Sequence, residues 1–219
     1  MWREMTHLTL NLQYLSAVLR KAGCSLHFIS MIEAICGRLM VKIKINGGIT
    51  PPFTTYKGLP QGSPLSTILY SIALAPLMHA FDKLLHGLHI SNTTLTAQSY
   101  VDDVHCILDI ERDLSRVTSL FKNFENVSGA CLNHTKTKLL PLGETMLSAS
   151  VTPFAIATEV TILGIKWQSK VHDSIESNYN ILMTKITALM YQNRTRQLSL
   201  QGRIAFIHRF IYSKFSHLA

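Results

Sequence analysis

Apolar residues recur along the 219-residue chain with two different periods, and the changes of period predict the order of its elements. Spacings of three and four residues are typical of amphipathic helices, whereas alternation with polar residues is typical of strands. Residues 41–45 alternate apolar residues with lysines and lead into Asn46-Gly47, which favours a hairpin turn. In chain order the pattern predicts helices over 8–20 and 25–40, a hairpin over 41–58, a loop and helix over 58–85, strands over 95–101 and 104–110, a helix over 113–128, a strand over 132–143, a strand or hairpin over 160–168, and helices over 176–197 and 198–218.

This order of elements predicts an α+β fold, in which an antiparallel sheet with its helices is followed by a helical extension. Hydrophobic residues make up 47% and charged residues 16% of the chain, which excludes an intrinsically disordered protein. The longest apolar stretch, 68–81, is too short to span a bilayer and no secretory signal is evident, so we expect a nuclear or cytoplasmic protein without a membrane partner. The four cysteines have no metal-ligand spacing and are expected to be free thiols.

Positive charge is concentrated toward the end of the chain. The net charge is +8, and residues 166–219 carry eight Lys and Arg against two acids, which is a net charge of +6. Such a segment favours a polyanionic partner, most simply nucleic acid. A solvated helix face on an ordinary basic protein is the alternative interpretation.

Two adjacent carboxylates interrupt an apolar run in the stretch TAQSYVDDVHCILDI, residues 96–110. Asp102 and Asp103 stand between two predicted strands, and a polar hairpin turn is one interpretation because Asp tolerates turn geometry. The other is a divalent metal site, because hard cations such as Mg²⁺ bind carboxylate oxygens. Nucleotidyl transfer uses such metals, but two adjacent residues make an incomplete ligand set, so a third carboxylate from another strand is expected.

A loop rich in glycine and proline, GLPQGSPLS at 58–66, precedes the long apolar helix. Gln61 offers a planar amide, and Gly62 lets a ligand approach the backbone closely. Ser63 or Ser66 could cap the following helix, whose N-terminus could receive a base, a sugar or a phosphate. A helix-capping loop without a ligand is the alternative interpretation, and the loop alone does not decide between them.

The order of these two motifs resembles the reverse transcriptase family, and in particular its non-LTR (LINE-type) retrotransposon branch. The most specific part is GLPQGSPLS followed about forty residues later by SYVDDVHCI. RLMVKIKINGGITPPFTTYKG is similar to the hairpin ahead of the nucleotide pocket, SGACLNHTKTKLLPLG to a later palm segment, ILGIKW to the primer grip and LSLQGRIAFIHRFIYSKF to the start of the thumb. The resemblance implies part of a right-hand polymerase, with helices and a hairpin over 1–57, a palm over 58–168 and a partial basic thumb over 169–219.

The resemblance also implies roles for individual residues. Asp102 becomes the principal ligand of Mg²⁺ or Mn²⁺, and Asp103 a second or structural carboxylate. Lys136 becomes a catalytic cation near the leaving phosphates, with Lys138 as its substitute; a solvated lysine at a strand edge is the alternative. The nucleotide and template pocket is lined by Pro60, Gln61, Gly62 and Ser63, the primer end is contacted by Tyr100 and Val101, and the primer is positioned by Leu163 and Gly164.

Four arginines of the basic segment complete the implied site. They would bind backbone phosphates, a contact that positions a nucleic acid without reading its sequence. For any one of them, the alternative is an exposed surface arginine that binds no ligand. The implied partners are an RNA template, a DNA primer and a deoxynucleoside triphosphate, and no stable protein partner is predicted. The four arginines are Arg194, Arg196, Arg203 and Arg209.

One carboxylate of the family pattern has no evident counterpart. The other metal-binding Asp of the family precedes the hairpin, whereas the acids ahead of Asp82 are Glu4 and Glu33, both in stretches of predicted helix. We therefore expect a fragment that lacks the fingers and the first catalytic palm strand, and whose isolated chain is inactive. Two hypotheses follow, a reverse transcriptase fragment that is catalytic in kind, or an inactive nucleic-acid-binding remnant of a decayed element.

The basic segment generates a prediction about binding. We expect the chain to bind RNA and primer-template without strong sequence preference, mainly through residues 166–219, because that segment carries most of the net charge. Contacts to phosphates release counterions, so the affinity should fall steeply as salt rises. A gel-shift titration at low and at moderate salt measures this. An affinity that does not change with salt concentration, or that is unchanged after deletion of 166–219, would contradict the prediction.

Overall fold

The structure is a computed structural model that describes residues 2–4, 10–56, 58–60, 62–143 and 152–215, with 2–4 described by their backbone alone. It divides into two compact units, Met1–Lys138 and Leu139–Ala219. Both units combine helices with antiparallel strands, which confirms the predicted α+β class.

The described residues of the first unit form four helices and strands β1 to β10. The helices are α1 (Leu12–Lys21), α2 (Leu26–Cys36), α3 (Pro64–Leu84) and α4 (Ile110–Ser128). The strands are β1 (Trp2–Glu4), β2 (Leu39–Val41), β3 (Lys44–Ile45), β4 (Gly48–Ile49), β5 (Phe53–Thr55), β6 (Leu88–Ile90), β7 (Thr93–Leu95), β8 (Ala97–Tyr100), β9 (Asp103–Cys106) and β10 (Lys138–Leu139).

The main sheet of the first unit has the strand order β10-β1-β9-β8. All its pairs are antiparallel, so β9 has a hydrogen-bonded neighbour on each side. Val104 and Cys106 alternate along β9 and are buried, which gives the sheet one face against the core. The register places Asp103 opposite Tyr100 on one side and opposite Glu4 on the other.

The strand β1 corrects the sequence prediction. Glu4 was expected in a helix, and the carboxylate-bearing strand was expected to be absent. Instead Trp2–Glu4 forms a strand at the centre of the sheet, between β9 and β10. Three residues are too few to show a strand period, and the long-range pairing with β9 that defines this strand is invisible to a local pattern. Glu33 does lie in a helix, where it accepts a hydrogen bond of 2.7 Å from the hydroxyl of Ser16.

The core of the first unit is built on α3. Its buried face packs against α1, α4 and β8. The Phe81 ring lies 5.1 Å from that of Phe121 on α4, and the Tyr14 hydroxyl of α1 donates to the Ala73 carbonyl at 2.9 Å. Burial of these large side chains is the main source of stability in the unit, at about 25 cal/mol per Å² of apolar surface.

Helix α3 also resembles a membrane-spanning helix in its length and composition. Among the described helices it is the one that is long and apolar enough to cross a membrane, and it extends beyond the apolar stretch 68–81 considered in the sequence. The core helix of a soluble protein passes the same test, so this finding alone is weak evidence for a membrane span.

Capping residues fix the helix ends. The side chains of Asn11 and Ser25 accept hydrogen bonds from the first turns of α1 and α2. Gly129 ends α4 in the left-handed conformation, directly after residue 128, where the predicted helix ends. Helix α4 begins earlier than predicted, at Ile110, because strand β9 ends at Cys106.

Three short hairpins complete the first unit. The predicted hairpin after α2 is present as two ribbons, β2–β5 and β3–β4, with Asn46-Gly47 at the tip. The pair β6–β7 was not predicted, because its turn, Ser91-Asn92, is a weaker sequence signal than Asn-Gly. The strand predicted over 132–143 is confined to β10, because residues 134–136 form a turn.

The second unit contains the β-ribbon β12–β13 and a helical region. Its elements are β11 (Ala155–Ile156), β12 (Glu159–Ile162), β13 (Ile165–Gln168), α5 (Val171–Asn193), α6 (Leu200–Phe206), a π-helical turn (Ile207–Tyr212) and α7 (Ser213–Phe215). Helix α5 is fastened to β13 by Asn178, whose side chain accepts from the Lys166 amide at 2.9 Å and donates to the Lys166 carbonyl at 2.7 Å. The helix predicted over 198–218 is interrupted, within the described residues, by the π-helical turn.

A buried carboxylate ties α3 to α4. Asp113 is fully buried and accepts hydrogen bonds from the backbone amides of His86, Gly87 and Asp109 at 2.9, 3.0 and 3.1 Å. The Nδ1 atom of His86 lies 3.0 Å from the same carboxylate. Burial acts to raise the pKa of Asp113, but these hydrogen bonds together outweigh it and hold the pKa below its usual value of 3.8.

We expect Asp113→Asn to lower the free energy of unfolding by about 1–3 kcal/mol at pH 7. The substitution replaces one carboxylate oxygen with an NH2 group, which would face the backbone N–H donors instead of accepting from them. The depressed pKa means that the contribution of Asp113 is present above its unfolded pKa of about 3.9 and is lost as the pH falls through the lower folded pKa. Urea denaturation at pH 7 and at successively lower pH measures both effects. The control is Asp109→Asn, since the Asp109 side chain makes no capping hydrogen bond. Equal effects of the two substitutions would contradict this account.

Candidate active site

The Asp pair lies at the tip of the hairpin β8–β9. Tyr100 pairs with Asp103, so Val101 and Asp102 form a two-residue turn. This confirms the hairpin expected from the sequence. Both carboxylates are partly exposed at the turn, and Tyr100 is largely exposed beside them. The tight turn fixes the backbone of two adjacent carboxylates, a donor type that hard divalent cations prefer.

The turn holds Val101 in an unusual backbone conformation. Its φ is +54°, in the left-handed region that β-branched residues rarely occupy. Two other two-residue turns of the chain use Asn46 and Ser91 at the position of positive φ, and Asn in particular tolerates this region. The fourth, between β12 and β13 of the second unit, uses Leu163 with φ of +49°. Among the described residues, the bulky ones in this region, Val101 and Leu163, are therefore both among those that the resemblance assigned to the primer.

A third acidic residue lies in register with the Asp pair. Glu4 of β1 pairs with Asp103 across adjacent strands, which in a sheet are about 4.8 Å apart. Among the side chains that the structure describes, no group of three His, Cys, Asp or Glu residues could hold a metal. The carboxylates of Asp102 and Asp103 therefore fit the chemistry of a divalent cation, but they need a further donor.

The glycine-rich loop leads directly into α3. Gly58 donates its amide to the Leu10 carbonyl at 3.1 Å, and the Ser66 hydroxyl donates to the Pro60 carbonyl at 2.6 Å. Ser63 occupies the N-cap position, but its side chain makes no capping hydrogen bond. Gly62 is exposed, has φ of +83° and has open space where a side chain would be, so its backbone is accessible. Gln61 lies outside the described residues, so its predicted place in the nucleotide pocket is not described.

The predicted lysines lie on and just before β10. Asn133 shapes the turn ahead of this strand, because its side-chain oxygen accepts from the Thr135 hydroxyl at 2.7 Å and from the Lys136 amide at 3.2 Å. Lys136 is exposed in that turn rather than on a strand, which corrects the prediction for its local structure. Lys138 pairs with Trp2 of β1, so its strand is separated from β9 by β1 alone.

The remaining predicted residues lie in the second unit. Leu163 and Gly164 form the turn of the β12–β13 hairpin and are exposed. The four predicted arginines are also exposed. Arg194 lies with its guanidinium carbon 4.0 Å from the centre of the exposed Tyr191 ring, and Arg203 donates from Nε to the Leu198 carbonyl at 3.2 Å. An arginine over an accessible aromatic ring is suited to contacts with nucleic acid bases and phosphates.

Sequence reasoning did not single out His105, which follows the Asp pair on β9. Asp103 and His105 alternate with the two core residues of this strand, so they share the opposite face. Both ring nitrogens of His105 are buried and make no hydrogen bond to any part of the chain that is described. Burial lowers the pKa of His105 to about 4, so the imidazole is neutral at pH 7. Period-two spacing from Asp103 is the signal that could have indicated it.

Comparison with known proteins decides the family. The family model for reverse transcriptase (RNA-dependent DNA polymerase) matches residues 4–167. This range begins at the last residue of β1, contains the glycine-rich loop and the Asp hairpin, and ends one residue before the end of β13. The chain belongs to the reverse transcriptase family. Its hairpin with two adjacent Asp residues is thus part of an RNA-dependent DNA polymerase domain, which confirms the family inferred from the two motifs.

One relative of this reverse transcriptase chain comes from Xenopus laevis. It is the transposon TX1 uncharacterized 149 kDa protein, which is 28% identical over 161 residues. The match covers 73% of this chain and 12% of the relative, so the chain spans a small part of the length of that protein.

The strained turn generates a stability prediction. We expect Val101→Asn to raise the free energy of unfolding by about 1 kcal/mol, because left-handed backbone costs a β-branched residue of order 1–3 kcal/mol and Asn less. The control is Ser91→Asn at φ of +52°, which should change stability little because Ser is not β-branched. Urea denaturation of the two variants against the unmodified chain measures the difference. A Val101→Asn variant that is less stable than the unmodified chain would show that the turn is not strained.

Proposed function

We propose that this chain is part of the reverse transcriptase of a non-LTR retrotransposon, and that its Asp hairpin is the polymerase active site. The observation that carries the proposal is the Asp pair at the β8–β9 turn, with Asp102 in the turn and Asp103 at the start of β9, a strand flanked by β8 and β1. The family match supports the polymerase activity, and the likeness to a transposon protein supports the kind of element. A polymerase of such an element would work inside the cell, in the nucleus or the cytoplasm.

In this proposal the divalent ion is held by carboxylates from two adjacent strands. Asp102 is the principal ligand, Asp103 lies beside it, and Glu4 occupies the register position from which β1 could supply the third carboxylate. A bound Mg²⁺ or Mn²⁺ would activate the primer hydroxyl and stabilise charge on the leaving pyrophosphate. The protein's part is to fix the ligand positions, which the tight turn and the paired strands favour.

The substrates would be an RNA template, a DNA primer and a deoxynucleoside triphosphate. The exposed backbone at Gly62, with its neighbours Pro60, Gln61 and Ser63, lines the nucleotide pocket in this proposal. Tyr100 and Val101 contact the primer end beside the metal ligands. In the second unit, Leu163 and Gly164 position the primer, and the exposed arginines contact backbone phosphates.

A cation for the leaving phosphates would come from β10 or the turn before it. Lys136 is the first candidate, and Lys138 is the second because it lies on the strand next to β1. A cation there would stabilise the negative charge that develops on the pyrophosphate.

We still predict that the isolated chain is inactive, but for a different reason. The strand beside Asp103 is present, and the acidic residue on it is a glutamate, Glu4, rather than an aspartate. A glutamate side chain is one methylene longer than an aspartate, and Mg²⁺ requires near-ideal octahedral geometry. We therefore expect the length of this side chain, rather than the absence of a strand, to limit the reaction.

Primer extension on a homopolymer RNA template tests the proposal. We expect no extension by the unmodified chain and a gain of extension in Glu4→Asp. Adding Asp102→Asn to that variant should reduce extension by about 100-fold or more, because loss of a metal ligand costs several kcal/mol of transition-state stabilisation. Glu4→Gln is the matched control, because it keeps the length of the side chain and removes its charge.

Two outcomes would contradict parts of this proposal. Extension by the unmodified chain that disappears in Asp102→Asn would show that the chain is active and that the length of the Glu4 side chain does not limit the reaction. A folded Glu4→Asp variant without extension would show that β1 does not supply the third carboxylate. The alternative of an inactive nucleic-acid-binding remnant is not favoured by the comparisons, which match a polymerase family over residues 4–167.

A further inference from the structure

An open groove runs along the solvent-facing side of α5 in the second unit. It has a volume of about 710 Å³, and its lining residues are spaced three or four apart, so they share one face of the helix. Because the groove is open, it suits a ligand that extends beyond it, such as a polymer, better than an enclosed small molecule. The lining residues, all of them exposed, are Asn180, Met183, Thr184, Thr187, Ala188 and Tyr191.

A tyrosine and an arginine form the C-terminal end of this groove. Tyr191 is 62% exposed, and the guanidinium carbon of Arg194 lies 4.0 Å from the centre of its ring. A guanidinium at this distance is attracted to the face of the ring. The contact favours one orientation of the ring before any ligand binds, which reduces the entropy lost on binding. The groove therefore ends in a flat aromatic surface that is accessible and already oriented.

The charges around the groove are of one sign. Glu176 is the last acidic residue in the sequence, and residues 177–219 contain six lysines and arginines. Three of these cations, Lys185, Arg194 and Arg196, are exposed on α5 or directly after it. Cations without acidic residues among them in the sequence favour a polyanionic ligand. A ligand that matches both the aromatic surface and the charge is therefore planar in one part and anionic in another.

We propose that this groove binds an unpaired base of a single-stranded nucleic acid, with the base stacked on Tyr191 and its phosphates beside Arg194 and Arg196. Stacking needs an accessible base face, which a single strand offers and which neighbouring base pairs cover in a duplex. Every base has such a face, so the groove accepts any sequence. The inference rests on the proposed function, and it adds a base contact to the phosphate contacts of the arginines.

Oligonucleotides with and without bases separate stacking from phosphate binding. The full chain is titrated with oligo(U) RNA, with oligo(dT) DNA and with an abasic strand of equal length and charge, followed by fluorescence anisotropy. We expect Tyr191→Leu to weaken binding of the strands that carry bases by about tenfold and to leave the abasic strand unaffected. Tyr191→Phe keeps the ring and should bind as the unmodified chain does.

The matched control is Tyr179→Leu. Tyr179 is an exposed tyrosine of the same helix that does not line the groove, so its substitution should change none of the three affinities. A loss in Tyr191→Leu with both strands that carry bases supports a site for either nucleic acid. A loss with RNA alone supports a site for the template, and a loss with DNA alone supports a site for the primer.

Three outcomes would overturn the inference. Equal weakening of the abasic strand in Tyr191→Leu would show that the ring does not act by stacking, and an equal loss in Tyr179→Leu would show that the effect is not specific to the groove. Unchanged affinities in Tyr191→Leu would also overturn it and leave the proposed function intact. An unmodified chain that binds none of the three strands contradicts the nucleic-acid contacts of the proposed function, and with them this site.

Discussion

The pairing of β9 with a strand on each side is the interaction on which the candidate active site depends. With β8 it forms the tight turn that carries Asp102, and with β1 it brings Glu4 into register with Asp103. Strand β1 in turn pairs with β10, so the acidic and the basic candidates share one sheet. A shift of β1 by one residue along β9 would send its side chains to the other face. The site therefore depends on backbone register more than on any single side chain.

The backbone strain of the chain falls at positions with a proposed function. Within the part of the chain that the structure describes, four two-residue turns contain a residue other than glycine at positive φ, and two of them use Asn or Ser. Val101 and Leu163 have bulky side chains, for which this backbone conformation is energetically unfavourable. Strain of this kind is retained where the surroundings and the function require a particular backbone. Both residues were assigned to the primer from sequence motifs alone, so the strain is an independent reason to examine them.

Local sequence patterns were sufficient for the elements that local chemistry determines. The turn at Asn46-Gly47, the long helix α3 after the glycine-rich loop, the end of α4 at Ser128 and the hairpin at the Asp pair all agree with the prediction. The sequence could not predict β1, because its three residues become a strand only by pairing with residues nearly one hundred positions later. The π-helical turn at 207–212 interrupts an otherwise regular helical period and was missed for the same reason of locality.

The central claim is that β1 and the β8–β9 hairpin together hold one divalent ion. Replacement of that ion by Fe²⁺, followed by ascorbate and peroxide, generates hydroxyl radicals at the bound metal that cut the nearby backbone. We predict two cleavage sites in the full chain, one at Asp102–Asp103 and one beside Glu4, both suppressed by excess Mg²⁺ and both lost in Asp102→Asn. Cleavage at the hairpin without cleavage beside Glu4, or cleavage that Mg²⁺ does not suppress, would contradict the claim.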